Sequence, residues 1–201
     1  MPNKLSRITP MRFECAVCGR CCTSITEGDT ISLYEDDIFR IATFLGMPIE
    51  VYITKFTKVY QYEFRYGGSS TFQKRIVLPT ETGCPHLSGK QCSIHPVMPF
   101  QCKASPFIIQ FSESRAALER FLSICKGIAR GSKVSVASAI SRLNEHKALE
   151  AAFIDSIADP KSFIHKLLQL KSVTKTFVVD YDFTVNNSVI SLLFKSLKGG
   201  K

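Results

Sequence analysis

The sequence predicts an α+β fold, and three observations predict it. Two stretches after residue 30 carry apolar residues at helical spacing, and the stretch that follows them alternates with a period of two. Eight cysteines crowd the first 125 residues and are followed by a cysteine-free tail of mainly helical pattern. At 201 residues the chain is long enough for one sizeable core, or for a domain with an appendage. Its hydrophobic content of 45% is that of a folded globule.

The first helix is predicted to start at Ser32 as N-cap, to run through Leu33, Ile38, Ile41, Ala42 and Leu45, and to close at Gly46. Asp36 and Asp37 are placed on its exposed face, near the N-terminal end where the helix dipole favours carboxylates. Pro48 opens a second helix with Ile49, Tyr52, Ile53 and Phe56 on one side. From Val59 the period changes: Tyr60, Tyr62, Phe64 and Tyr66 alternate with Gln61, Glu63 and Arg65, as in a half-exposed strand. Gly67-Gly68-Ser69-Ser70 turns the chain, and Thr71 to Leu78 returns as the second strand of a hairpin. The aromatic face is expected to pack inward on the two helices; stacking on nucleic-acid bases is the competing use, and no RNA-binding motif accompanies it.

Residues 84–107 are rich in Cys and Pro and lack periodicity, so they read as a loop region shaped by ligation rather than by backbone ladders. Phe107 to Phe111 is expected to form a short strand, and Ala116 to Cys125 either a helix or a second strand. Gly127 and Gly131 end the cysteine-bearing part. The expected division is therefore a domain over 1–131 and a mainly helical extension over 132–201. In the extension Val134 to Ile157 is helical in pattern. Asp159-Pro160 breaks that helix and caps another through Leu170, Thr176 to Thr184 is extended, and Asn187 to Leu197 forms a last helix.

The first residues, MPNKLSRITPMR, are not followed by an apolar run, so no signal peptide is expected. No segment reaches the roughly 18 apolar residues of a spanning helix, and no membrane association is expected. A cytoplasmic location follows as the expectation. A reducing compartment keeps disulfides rare and turns cysteines toward metal ligation or redox chemistry. The net charge of +9 permits attraction to anionic partners. It is scattered, however, and runs such as Gln73-Lys74-Arg75 read as solvated faces, which argues against nucleic acid as the partner.

The stretch CAVCGRCC, residues 15–22, puts four thiols into eight positions, more than one apolar face could bury. Cys15-x2-Cys18-x2-Cys21 presents three thiolates from one loop, with Gly19 letting the backbone turn between them. Iron–sulfur ligation of the ferredoxin type uses such a run, with a fourth cysteine supplied from a distance. Structural zinc sites usually take two ligands from each of two short knuckles, and only the first half of the chain offers a C-x2-C pair. An irregular zinc site of four cysteines stays open beside the cluster. Neighbouring side chains tend to point apart, so Cys22 is free to face a second site beside Cys21. With Cys84, Cys92, Cys102 and Cys125 the thiols divide into two sets of four, into a cluster and a zinc, or into one centre with four thiols free. His86 and His95 lie within three residues of a cysteine and offer a ligand or a supporting hydrogen-bond donor, although a packed or surface histidine is the simpler use. No serine–histidine–acid set can be assembled, so catalytic residues stay unassigned.

From Phe13 to Gly131 the chain resembles the CxxCxxCC (YkgJ-like) family, a zinc- or iron-chelating domain. The resemblance rests, in order, on FECAVCGRCC, DDIFRIATFLGM, CPHLSGKQCSIHPVMPFQCKASPF and CKGIARG. Where the family pattern usually has Arg-Pro, Cys-Arg and an aromatic before Pro-Phe, this chain has Met98-Pro99, Cys102-Lys103 and Ser105-Pro106-Phe107. His95 stands at a usual tyrosine position. The missing arginine removes a planar donor, so a reaction that depends on it is not carried over. Metal binding is, since all the cysteines are kept. The resemblance implies a protein whose cysteines ligate an iron–sulfur cluster, 4Fe–4S in the first instance, or zinc, with a redox, sensing or structural role and a redox or protein partner. It also implies an alternative, because the family partly overlaps with flagellin lysine N-methylases: an enzyme of methyltransferase-like or oxidoreductase type that uses the centre. Against this, no glycine-rich cofactor loop follows a strand, and CKGIARG reads as a turn after a ligand. A further alternative is a zinc module contacting nucleic acid through Lys126, Arg130, Lys133 and the aromatic strand.

Overall fold

A computed structural model describes residues 11–23, 30–66, 69–79, 83–109 and 115–180. The fold is α+β. Its main sheet has four strands in the order β2 (Ile31–Ser32), β4 (Ser69–Leu78), β3 (Lys58–Tyr66) and β8 (Val173–Asp180). β3 and β4 form the expected antiparallel hairpin, in register from Lys58↔Val77 to Tyr66↔Ser69, and residues 67–68 of its turn lie outside the described residues. β8 joins the far edge of β3 in parallel, from Val59↔Val173 to Arg65↔Asp180. Residues 181–184 of the expected extended stretch and the helix expected over Asn187 to Leu197 lie outside the described residues.

Two helices pack on this sheet. α2 (Glu35–Phe44) ends where Gly46 adopts φ 64°, a left-handed conformation that costs glycine little, and α3 (Ile49–Phe56) starts after Pro48. The expected N-cap is corrected. Ser32 belongs to β2, paired with Val77, because the amide of Leu33 continues the ladder to the Ile76 carbonyl at 2.8 Å. Tyr34 is the cap residue instead, and its amide donates to Asp37 Oδ2 at 3.2 Å. Asp37 itself is 1% exposed, not on a solvated face as expected. Its carboxylate is held by the Tyr34 amide, by the Phe100 amide at 2.9 Å and by Arg40 at 2.6 Å, so it is buried with its partners.

Leu33, Ile38, Ile41, Tyr52, Val59, Ile76 and Leu78 form the main core, and Phe153, Ile164, Leu167 and Leu168 from beyond residue 131 pack into it. Each such fully buried aliphatic side chain contributes about 1.5–3 kcal/mol relative to exposure. The last four belong to two helices of the C-terminal part, α6 (Val136–Ala158) and α7 (Phe163–Leu170). Tyr60 and Tyr62 are buried as expected, but not against α2 and α3. With Val77 they form a separate cluster under Phe177 of β8, their rings 5.3 and 5.5 Å from it. Strand alternation sends Val59 to one side and Tyr60 to the other.

The segment expected to depend on ligation for its shape has backbone bonding of its own. Leu87–Ser88 (β5) pairs with Gln91–Cys92 (β6), His95–Val97 is a 3-10 turn, and α4 spans Phe100–Ala104. Phe107 and Ile108 are a bend rather than the start of a strand, because the Phe107 amide folds back to the Ala104 carbonyl at 2.8 Å; residues 110–111 lie outside the described residues. Residues 115–124 resolve the open alternative as a helix, α5 (Arg115–Ile124). β7 (Ile128–Val134) follows and pairs antiparallel with β1 (Met11–Phe13). A second core cluster of Ala104, Phe107, Ile108, Leu118, Phe121, Val134 and Ala139 fills the space between α4, α5 and the start of α6.

A buried polar network ties the C-terminal helices to the rest. The Ile109 amide donates to His146 Nδ1 at 2.9 Å, so in the neutral ring Nε2 carries the proton toward Tyr34 Oη, 2.7 Å away. Tyr34 in turn donates to Glu150, which also pairs with Arg75. Arg75 lies 4.5 Å above the Phe153 ring.

Candidate metal centre

Four chain segments bring cysteines together. The first is the loop from Glu14 into α1 (Arg20–Thr23), which holds Cys15, Cys18, Cys21 and Cys22. Cys84 precedes the β5–β6 hairpin and Cys92 ends it, Cys102 lies on α4, and Cys125 follows α5. All eight are free thiols, and all eight line a single cavity of about 270 Å³. The cavity runs along the junction of the two core clusters, with Phe13, Ile94, Ile108 and Phe121 among its apolar walls. Among the described residues no three Cys, His, Asp or Glu side chains close on a single ion; the thiols stand around a space.

Backbone contacts dock these segments on one another. The Cys84 amide donates to the Cys22 carbonyl at 2.8 Å, and the Glu14 amide to the Gly127 carbonyl at 3.2 Å. Gly127 is required by that approach: a Cβ there would meet the Glu14 carbonyl oxygen at 2.3 Å. Gly19, at φ 70°, also lies close to the hairpin, where a Cβ would meet Leu87 at 3.1 Å and the Lys90 carbonyl at 3.3 Å. The glycines of CKGIARG therefore serve a chain crossing and not a phosphate-binding turn. α4 is set by two side chains: Asp37 accepts the Phe100 amide, and Gln101 Oε1 accepts the Ser32 amide at 2.8 Å. Neither was singled out from the sequence as part of the site.

The sulfurs share a local motif. The amide two residues on donates to the sulfur of Cys15, Cys18, Cys84, Cys92 and Cys125, from Val17, Arg20, His86, Ile94 and Gly127 respectively. Such bonds favour the thiolate. At Cys18 the Arg20 amide outweighs burial and lowers the pKa, assisted by Lys126. At Cys15, Cys84, Cys92 and Cys125 burial dominates and raises it, to about 11 at Cys84. Cys102 is pushed well up by burial and then by Cys84, Cys21 and Cys92, while Cys21 is pushed up by its hydrogen bond to Cys22 and by its neighbours. Thiolates crowded this way repel one another, and a bound cation reverses that balance by deprotonating the thiols it coordinates.

The two histidines near the cysteines part company. His86 is 3% exposed, stacked on Tyr52 at 5.8 Å and against Phe56 at 4.8 Å, and burial lowers its pKa to about 4. It is a packed neutral ring. His95 lines the cavity.

A chamber lined by eight thiols on an α+β scaffold defines a metal-binding protein. The comparisons agree and are more specific: residues 14–126 match the family model of CxxCxxCC, described as a "putative zinc- or iron-chelating domain", and the chain belongs to that family. Neither the curated proteins nor the solved structures yield a match.

Proposed function

We propose that the chamber holds an iron–sulfur centre of the 4Fe–4S type, ligated by thiolates drawn from Cys15, Cys18, Cys21, Cys22, Cys84, Cys92, Cys102 and Cys125. The protein then serves a redox, sensing or structural role in the cytoplasm, with a redox or protein partner. The observation that carries this is the convergence of all eight thiols on one space. A volume of about 270 Å³ bounded by sulfurs suits a polynuclear guest better than one ion, whose four ligands would close on a point. When bound, an iron–sulfur cluster supplies a one-electron couple whose potential follows the hydrogen bonds to its sulfurs. The chain supplies those bonds from the amides of Val17, Arg20, His86, Ile94 and Gly127, and apolar side chains such as Ile94 and Phe121 line the chamber beside the ligands. Eight sulfurs exceed the needs of one four-ligand centre, which leaves donors for a second.

Anaerobic purification followed by iron, zinc and acid-labile sulfide analysis tests this. A brown protein with broad visible absorbance and matching iron and sulfide supports it; a colourless protein with stoichiometric zinc and no sulfide sinks it in favour of zinc. The nucleic-acid alternative draws nothing from Tyr60 and Tyr62, which are buried at 1% and 8% exposure and present no ring for a base to stack on.

A further inference from the structure

Resting on the thiolate-centre reading, we propose that His95 is a ligand of that centre through Nε2, making the donor set mixed sulfur and nitrogen. The four histidines of the chain are all among the described residues, and three have uses that the structure shows. His86 stacks on Tyr52, with Nε2 3.4 Å from the Tyr52 hydroxyl. His146 engages the Ile109 amide and Tyr34 through its two nitrogens. His165 bonds through Nδ1 to the Ile157 carbonyl at 2.7 Å and has its amide on Ser162.

His95 differs in both respects that matter. It is the histidine that lines the chamber beside the eight cysteines, and its Nε2 is buried with no hydrogen-bond partner. A buried polar atom calls for a partner; the neighbouring lining residues Ile94, Met98 and Pro99 offer at most a weak thioether acceptor, and the chamber that His95 lines with the eight cysteines has room for a guest that can meet it. A neutral imidazole nitrogen is a good donor to iron and to zinc, so the assignment holds for either metal. Position favours it as well. His95 opens the 3-10 turn that follows Cys92, and the intervening Ile94 gives its amide to the Cys92 sulfur, so the ring and that sulfur are carried by one short, bonded segment.

The test is X-ray absorption at the edge of the bound metal, on the full-length protein purified anaerobically, with His95→Phe and His86→Phe beside the wild type. The expected result is the outer-shell scattering of one imidazole in the wild type, lost in His95→Phe and retained in His86→Phe. A wild-type shell of sulfur alone overturns the assignment of His95 while leaving the thiolate centre standing, and requires no variant to fold. Imidazole scattering that survives in His95→Phe overturns it too. Wild-type protein that carries no metal by elemental analysis overturns both.

Discussion

Glu150→Gln tests whether the C-terminal helices are locked to the sheet by charge. Glu150 faces the Arg75 guanidinium, whose side chain is 8% exposed, and its own side chain is 20% exposed. Burial pushes the carboxyl up, but the neighbouring His146 ring, the Arg75 charge and the Tyr34 hydroxyl outweigh it and bring the pKa down to about 2. The unfolded chain titrates this group near roughly 4.3. The folded value is the lower one, so the stabilisation is fully present above the unfolded pKa and is lost as pH falls from about 4.3 toward 2. A gap of about 2 units at 1.36 kcal/mol each is worth about 3 kcal/mol. A second route gives the same size, since removing one partner of a buried ion pair costs about 3–5 kcal/mol. For a chain of this length 3 kcal/mol is about 6–12 °C in Tm. Urea and thermal unfolding followed by far-ultraviolet circular dichroism, at pH 7 and in steps down to pH 2, should show the variant less stable at neutral pH and its stability falling less steeply with acid. Curves that superimpose at pH 7 and fall together in acid would refute the pairing as a source of stability.

Gly127→Ala puts a Cβ 2.3 Å from the Glu14 carbonyl and should push the first cysteine loop off its seat. Overpacking of this kind costs about 1–3 kcal/mol, and metal content per chain should drop in the purified variant. Lys171→Met removes the donor to the Ile53 and Thr57 carbonyls, at 2.8 and 2.7 Å, that closes the end of α3. A loss of about 1–3 kcal/mol in urea unfolding, with metal content unchanged, is expected. Removing the metal with a chelator under anaerobic conditions should lower the thermal midpoint and speed amide exchange at Val17, Arg20 and Ile94, whose N–H groups serve the sulfurs, before it touches the β3–β4 ladder.

Local periodicity was legible and long-range pairing was not. The hairpin of β3 and β4 shows in the alternation from Tyr60 to Tyr66, and α2 and α3 show in their apolar spacing, because each depends on neighbours in sequence. The gathering of the cysteines was legible for a chemical reason, since four thiols in eight residues have few other uses. Asp37 was misplaced although its position argued otherwise: with Tyr34, Ile38 and Ile41 it follows the i, i+3, i+4 spacing of the buried face, and its charge alone put it outside. Phe177 as the cover for Tyr60 and Tyr62 depends on a parallel register set across more than a hundred residues, which leaves no mark in either stretch. β5 and β6 have two residues each, too few to show a period.

The parallel pairing of β3 with β8 also sets an order of events during synthesis. The N–H and C=O groups along the outer side of Val59 to Arg65 have no strand to meet until Val173 and its successors have left the ribosome. For that interval the nascent chain carries an uncovered edge bearing Val59, Tyr60 and Tyr62, the kind of surface on which strands of neighbouring chains dock. A copy ending at residue 131 would carry that edge permanently, and should precipitate more readily than the full-length chain.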